Sequence, residues 1–109
     1  MHELAITQSV VDAIVERLGE TRVAVVHLVI GRVSGVDVEA VRFCFDLVAQ
    51  GTPVEGARLE ISEPAGEARC RTCGTTFPVA DLLLVCRCGS TDVELCGGQE
   101  LTVRAVEVA

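Results

Sequence analysis

Four cysteines in two close pairs are the residues best spaced for chemistry. "CRTCG" (Cys70 to Gly74) is followed, after twelve residues that separate Cys73 from Cys86, by "CRCGS" (Cys86 to Ser90). Four thiolates in two chelating pairs across a short loop match a tetrahedral structural zinc site. A segment of about thirty residues cannot build a sufficient core, and metal ligation supplies folding free energy of order 10 kcal/mol in small zinc modules. Gly74 and Gly89 each follow the second cysteine of a pair. Glycine there lets backbone amides turn towards the sulfurs. The second pair is C-x-C rather than C-x-x-C, which tightens the loop and predicts strained geometry around an ion. Two other readings weaken on context. A redox disulfide between Cys70 and Cys73 lacks a βαβ setting before the motif, and iron–sulfur sites use different spacings.

The remaining cysteines read differently. Cys44 lies near an apolar helical stripe and is most simply a small buried hydrophobe. Cys96 stands beside Gly97 and Gly98. It is either a free thiol or a substitute fourth ligand should the C-x-C pair strain.

A second donor set sits at the start of the chain, Met1-His2-Glu3. The free α-amine, the His2 backbone nitrogen and its imidazole can form fused chelate rings around one ion. The Glu3 backbone nitrogen or carboxylate can add a further donor. Planar, nitrogen-rich sets suit Ni(II) or Cu(II) better than Zn(II). Bulky His2 also disfavours removal of the initiator methionine. The plainer readings are a histidine tolerated at a loose terminus and an acid favoured in the first turn of a helix. His27, the other histidine, is in phase with Val25 and Val29 and reads as a sheet-face residue. Asp37 reads as a helix cap. It can assist a metal bound nearby if two helices pack side by side.

The elements that must position these groups follow from periodicity. Residues 3–18 are helical, with Leu4, Val11, Ile14, Val15 and Leu18 on one face and Gly19 as the stop. Residues 22–31 are β-branched and nearly continuous in apolar character, as a largely buried strand is. A turn at "SGVD" leads into a second helix over 37–50, with Val38, Val41, Phe45 and Val48 as its stripe. Residues 57–62 alternate as a half-exposed strand that stops at Pro64, and 100–108 are strand-like with a slip near Ala105 that suits a bulge. The expected fold is α/β (α+β): a three-stranded sheet with two helices on one face, plus an inserted zinc-ribbon module. That divides the chain into an α/β domain over 1–64 and 97–109 and a ribbon insertion over 65–96.

Composition bounds the function. At 109 residues, half of them hydrophobic but only three aromatic, the chain is one compact unit whose core must be built from Val, Leu, Ile and Ala. A net charge of −7 argues against phosphate-backbone binding and leaves basic protein partners or cationic cargo. No stretch is long enough to span a membrane, and no signal-peptide pattern opens the chain. The default location is the cytoplasm. There, paired cysteines mean metal or redox chemistry more often than disulfides.

"MHE", "IGRVSGVD", "AVRFCFDL", "GTPVEGARLEI", "CRTCG", "CGSTDVEL" and "GGQELTVRAVEV", in that order along the whole chain, resemble the HypA/HybF family of hydrogenase maturation nickel metallochaperones. The resemblance implies a nickel-binding α/β domain carrying a zinc ribbon. It implies His2 as the essential nickel ligand with Glu3 nearby, and structural Zn(II) on Cys70, Cys73, Cys86 and Cys88. It also implies delivery of Ni(II) cargo, without catalysis, to the hydrogenase large subunit. The partners would be that subunit and a nickel-handling GTPase, with urease maturation also served in some members. No nucleic acid or membrane is involved, and the chain is expected to be a monomer or weak homodimer. The family pattern has C-x-x-C at both pairs, so this chain departs from it at Cys86–Cys88. The competing reading is a zinc-ribbon adaptor in which His2 is incidental.

Overall fold

The computed structural model describes residues 2–79 and 83–109. The elements in order are α1 (Glu3–Leu18), β1 (Val23–Ile30), α2 (Val38–Val48), β2 (Arg58–Ser62), β3 (Gly66–Cys70), β4 (Thr76–Val79), β5 (Val93–Gly97) and β6 (Leu101–Val108). They form two three-stranded sheets, β2-β1-β6 and β4-β3-β5, in an α+β fold. The chain divides into two compact units. One holds Met1–Leu28, Val36–Ile61 and Thr102–Ala109, and the other Val29–Gly35 and Ser62–Leu101. Among the described residues no helix is long and apolar enough to cross a membrane.

In the first unit α1 and α2 pack against each other. α1 buries Thr7, Val11 and Ile14. Leu4, expected on that stripe, is instead 57% exposed. The buried face runs through positions 7, 11 and 14; Leu4 lies on that face, but in the first turn, beyond the buried stretch. Burial of the polar Thr7 is made cheap by a hydrogen bond its hydroxyl donates to the Glu3 carbonyl at 2.6 Å. α2 begins at Asp37, whose carboxylate accepts from the Glu39 and Ala40 amides, and buries Val41 and Phe45. Burying a Phe or Val side chain contributes about 1.5–3 kcal/mol each. β1 is the central strand, and its buried Val23, Val25, Val26, Leu28 and Ile30 account for its apolar run. The edge strand β2 alternates between exposed and half-buried.

The second unit contains a sheet that the sequence reading did not anticipate. β3 is its centre, antiparallel to β4 (Gly66↔Val79 to Arg69↔Thr76) and to β5 (Ala68↔Leu95, Cys70↔Val93). These strands are four or five residues long and are punctuated by Gly, Pro and Cys, too short for a period of two to register. Val33, Ala68 and Val79 are buried together, with Phe77, Leu84, Val93 and Leu95 packed around them. Val33 comes from the loop after β1. Backbone bonds fix it there: Arg32 N to the Pro64 carbonyl (3.0 Å) and Val33 N to the Gly98 carbonyl (2.9 Å).

These chain segments approach so closely that a Cβ at Gly31 would collide with the Gly98 carbonyl. The obstacle is backbone, which has no rotamer to escape into. Gly31→Ala is therefore expected to cost about 1–3 kcal/mol and to lower the thermal midpoint measured by circular dichroism. Gly51→Ala meets open space but carries a φ of +76°, so its smaller cost is conformational and not steric.

Candidate metal centre

Each cysteine pair sits on a tight backbone turn. In the first, Gly74 N donates to the Cys70 carbonyl (2.9 Å) and Cys70 N to the Thr75 carbonyl (2.9 Å). In the second, Gly89 N donates to the Cys86 carbonyl (2.9 Å) and Cys86 N to the Ser90 carbonyl (3.0 Å). The two turns make the same pair of bonds, with each ring one residue smaller in the second. Gly74 and Gly89 have φ of 78° and 90°, and no non-glycine residue among those described has positive φ. The shortened C-x-C pair thus closes without backbone strain, contrary to the expectation from its spacing. Glycine supplies the one conformation that the smaller ring demands.

The turns bring Cys70, Cys73, Cys86 and Cys88 together, with all four sulfurs within 4.8 Å of one another. Cys70 Sγ lies 3.7 Å from Cys88 Sγ, and Cys73 Sγ 3.6 Å from Cys86 Sγ. A tetrahedral ZnS4 centre has S–S edges of about 3.8 Å, so the group fits Zn(II) as it stands. Cys70 and Cys86 are buried while Cys73 and Cys88 are exposed. Cys96 is outside the group: it is exposed on β5, its sulfur 3.8 Å from the Glu94 carbonyl. Cys44 is half-buried on α2.

Side chains brace the two turns, and the sequence reading missed them. Thr72 Oγ1 and Ser90 Oγ, one from each turn, are 2.8 Å apart. The Arg71 guanidinium donates to Asp92 Oδ1 (2.9 Å) and Glu94 Oε2 (3.1 Å). The available signal was the polar residue inside the first pair and the acids just after the second. Their pairing required knowing that the turns face each other.

Charge in the cluster is uneven. The Cys73 amide, aimed at its sulfur, lowers the Cys70 thiol to about 6. The Thr75 hydroxyl lowers Cys73. The Cys88 amide favours the Cys86 thiolate too, but burial and the three neighbouring sulfurs outweigh it and push Cys86 up to about 12. Without a cation the four sulfurs do not all ionise at neutral pH. A dication removes that repulsion and deprotonates the set.

The N-terminal donors lie in the other unit. His2 occupies the N-cap position of α1, exposed, with no capping hydrogen bond from its side chain. Its carbonyl accepts from Ile6 N at 3.1 Å, so the backbone is anchored while the imidazole is uncommitted among the described residues. Met1 lies outside the described residues. Glu3 and Asp37 are brought together: Glu3 Oε2 accepts from the Asp37 amide at 2.9 Å, and that bond holds the Glu3 carboxyl below its ordinary range. Asp37 is the cap its sequence position suggested, its Oδ1 3.0 Å from Glu39 N and 3.3 Å from Ala40 N. His27 Nε2 lies 2.6 Å from Glu107 Oε2, so it pairs with an acid and joins no metal-binding group among the described residues.

The sequence profile of the family described as "Hydrogenase/urease nickel incorporation, metallochaperone, hypA" matches residues 1–108. The chain belongs to the HypA family. Among its relatives, hydrogenase maturation factor HypA of Chlorobaculum tepidum is 43% identical over 112 residues, covering 99% of each chain. That of Trichormus variabilis is 43% identical over 108 residues, covering 99% of this chain and 96% of the relative. The fold is similar to the solution structure of the Ni metallochaperone HypA from Helicobacter pylori. There the identity is 24%, the coverage 99% of this chain and 97% of that one, and the TM-score 0.67. The HypA family is one of nickel metallochaperones in hydrogenase maturation, which agrees with the resemblance drawn from "MHE" and the cysteine pairs.

The Glu3–Asp37 bond has a pH signature. A carboxyl whose folded value is lowered contributes stability above its unfolded value and loses it as pH falls through the folded one. The Asp37 amide proton is therefore expected to shift on acidification with a midpoint below the ordinary carboxylate value. Glu3→Gln should remove the contribution of Glu3 to that shift in an NMR titration.

Proposed function

We propose that this chain takes up Ni(II) at its N-terminal tip, through the Met1 amine and His2 with Glu3 beside them, and delivers it to the hydrogenase large subunit. Cys70, Cys73, Cys86 and Cys88 would hold a structural Zn(II). The chain works in the cytoplasm alongside a nickel-handling GTPase and performs no catalysis of its own. Residues 1–64 and 97–109 are then the nickel-binding part and 65–96 the ribbon. One observation carries this reading: in a chain matched from residue 1 to 108 by a nickel-incorporation family, the His2 imidazole is exposed at the tip of α1 and makes no capping bond.

The chemistry divides accordingly. A carrier must accept a metal selectively and then surrender it. An open chelate on an exposed tip can be captured by a competing donor set, whereas a closed cage would release too slowly. The Glu3 carboxylate is already engaged by the Asp37 amide at 2.9 Å and by its own backbone N–H, so either Glu3 donor must give up a hydrogen bond to bind the ion. Backbone nitrogen ligation releases a proton, so nickel affinity falls as pH falls. When bound, Zn(II) supplies charge neutralisation and a fixed crosslink between the two turns. The four cysteines fix the shape of the ribbon and leave the tip to the cargo.

The test is a Ni(II) titration of the native protein, of His2→Ala, and of a version with two residues added before Met1. The extension keeps the imidazole but moves the amine. Both variants are expected to lose tight binding while zinc content is unchanged. Unchanged nickel binding in both would overturn the reading and leave a zinc-ribbon adaptor. Zinc content also separates the cysteines. Cys96→Ser is expected to retain zinc against a chelator, and Cys88→Ser to lose it at much lower chelator concentration, with loss of ribbon structure by NMR.

A further inference from the structure

β6 is an unusual strand for a protein of this size. It is an edge of the β2-β1-β6 sheet, and seven of its eight residues are exposed. Leu101, Val103 and Val108 are 39%, 37% and 56% exposed. A long apolar edge offers unpaired backbone donors and acceptors to any strand that reaches it.

A groove of about 450 Å3 runs between α1 and this strand. Ile14 and Leu18 line it from the helix, and four consecutive residues, Val103 to Val106, from the strand. Consecutive residues point to opposite faces of a strand, so the groove meets the β6 backbone and not one face alone.

Arginines set its charge. All nine basic residues of this chain, whose net charge is −7, are arginines. Several are committed to acids: Arg58 to Glu60, Arg69 and Arg71 to Glu94. Arg17 and Arg104, both lining the groove, have no ion pair or hydrogen bond among the described residues. Arg17, in the last turn of α1, also suits the helix dipole. No such account covers Arg104. As a mere guard against edge pairing it would repel positive strands and leave negative ones unopposed. In an acidic molecule, two unpaired cations beside an open apolar edge are complementary to an acidic strand.

We infer that the groove between α1 and β6 receives an extended acidic segment of a partner protein. The segment adds to β6 as a fourth strand and sets its carboxylates against Arg17 and Arg104. Main-chain bonds along β6 give affinity, and the arginines and apolar floor select an alternating acidic and apolar sequence. This surface is independent of the metal sites and of the nickel reading.

The experiment uses the full-length, zinc-loaded, 15N-labelled chain. It is titrated with a short peptide alternating Glu and Val, and with its Lys–Val twin. The Glu–Val peptide is expected to shift the amides of residues 101–108 saturably, and the Lys–Val peptide to bind about tenfold more weakly. Arg17→Glu with Arg104→Glu should weaken the Glu–Val peptide about fivefold or more. Added salt should weaken it on the wild-type chain, which tests the same charges without a substitution. Equal binding of both peptides, shifts confined to other residues, or salt-independent binding would overturn the inference. So would β6 shifts that grow with protein concentration alone, since a second copy of this chain would then occupy the edge.

Discussion

Four sulfurs held within 4.8 Å of one another form a group that cannot be fully charged unless a cation sits among them. Most of the second unit is arranged around that constraint. Cys70 ends the central strand β3, and the two turns are braced by Thr72 with Ser90 and by Arg71 with Asp92 and Glu94. Among the described residues the apolar core of that unit is Val33, Ala68 and Val79 with four partly buried neighbours. A core that small is a weak basis for an independent fold. The cysteine cluster fits an ion that would supply the missing cohesion.

The first unit solves the opposite problem. Its sheet and two helices have an apolar core around Val26, Val41 and Phe45. That leaves the start of α1 free to be used. His2 anchors its carbonyl in the helix and leaves its imidazole outside, while Glu3 is tied to the first residues of α2 through Asp37. The proposed nickel tip is thus held at its base by backbone bonds, with the His2 imidazole exposed. The same core leaves β6 only partly covered, and an edge that is not needed for folding is available for recognition.

Much of this was legible from the sequence. Helix and strand periodicity depend on neighbours within a few residues, and α1, β1, α2, β2 and β6 appear where the pattern placed them. The cysteine group was legible because chelation fixes ligand spacing along the chain. The second sheet was not: β3, β4 and β5 are too short for alternation to stand out. Leu4 was misplaced because periodicity gives the face of a helix but not how far along it the packing extends, and Leu4 lies in the first turn.

The sequence by itself determined which atoms could bind a metal: two cysteine pairs with glycine at each turn, and an amine, an imidazole and an amide in succession. Only the tertiary structure decided which of them meet. It showed that a turn one residue shorter still closes on the group, that Cys96 stands apart, that Val33 fills a core far from it in sequence, and that Glu3 is engaged by Asp37. The reason is physical. Ligand spacing and periodicity are local properties of a chain. Packing and hydrogen bonding between distant segments depend on a closure that no local pattern encodes.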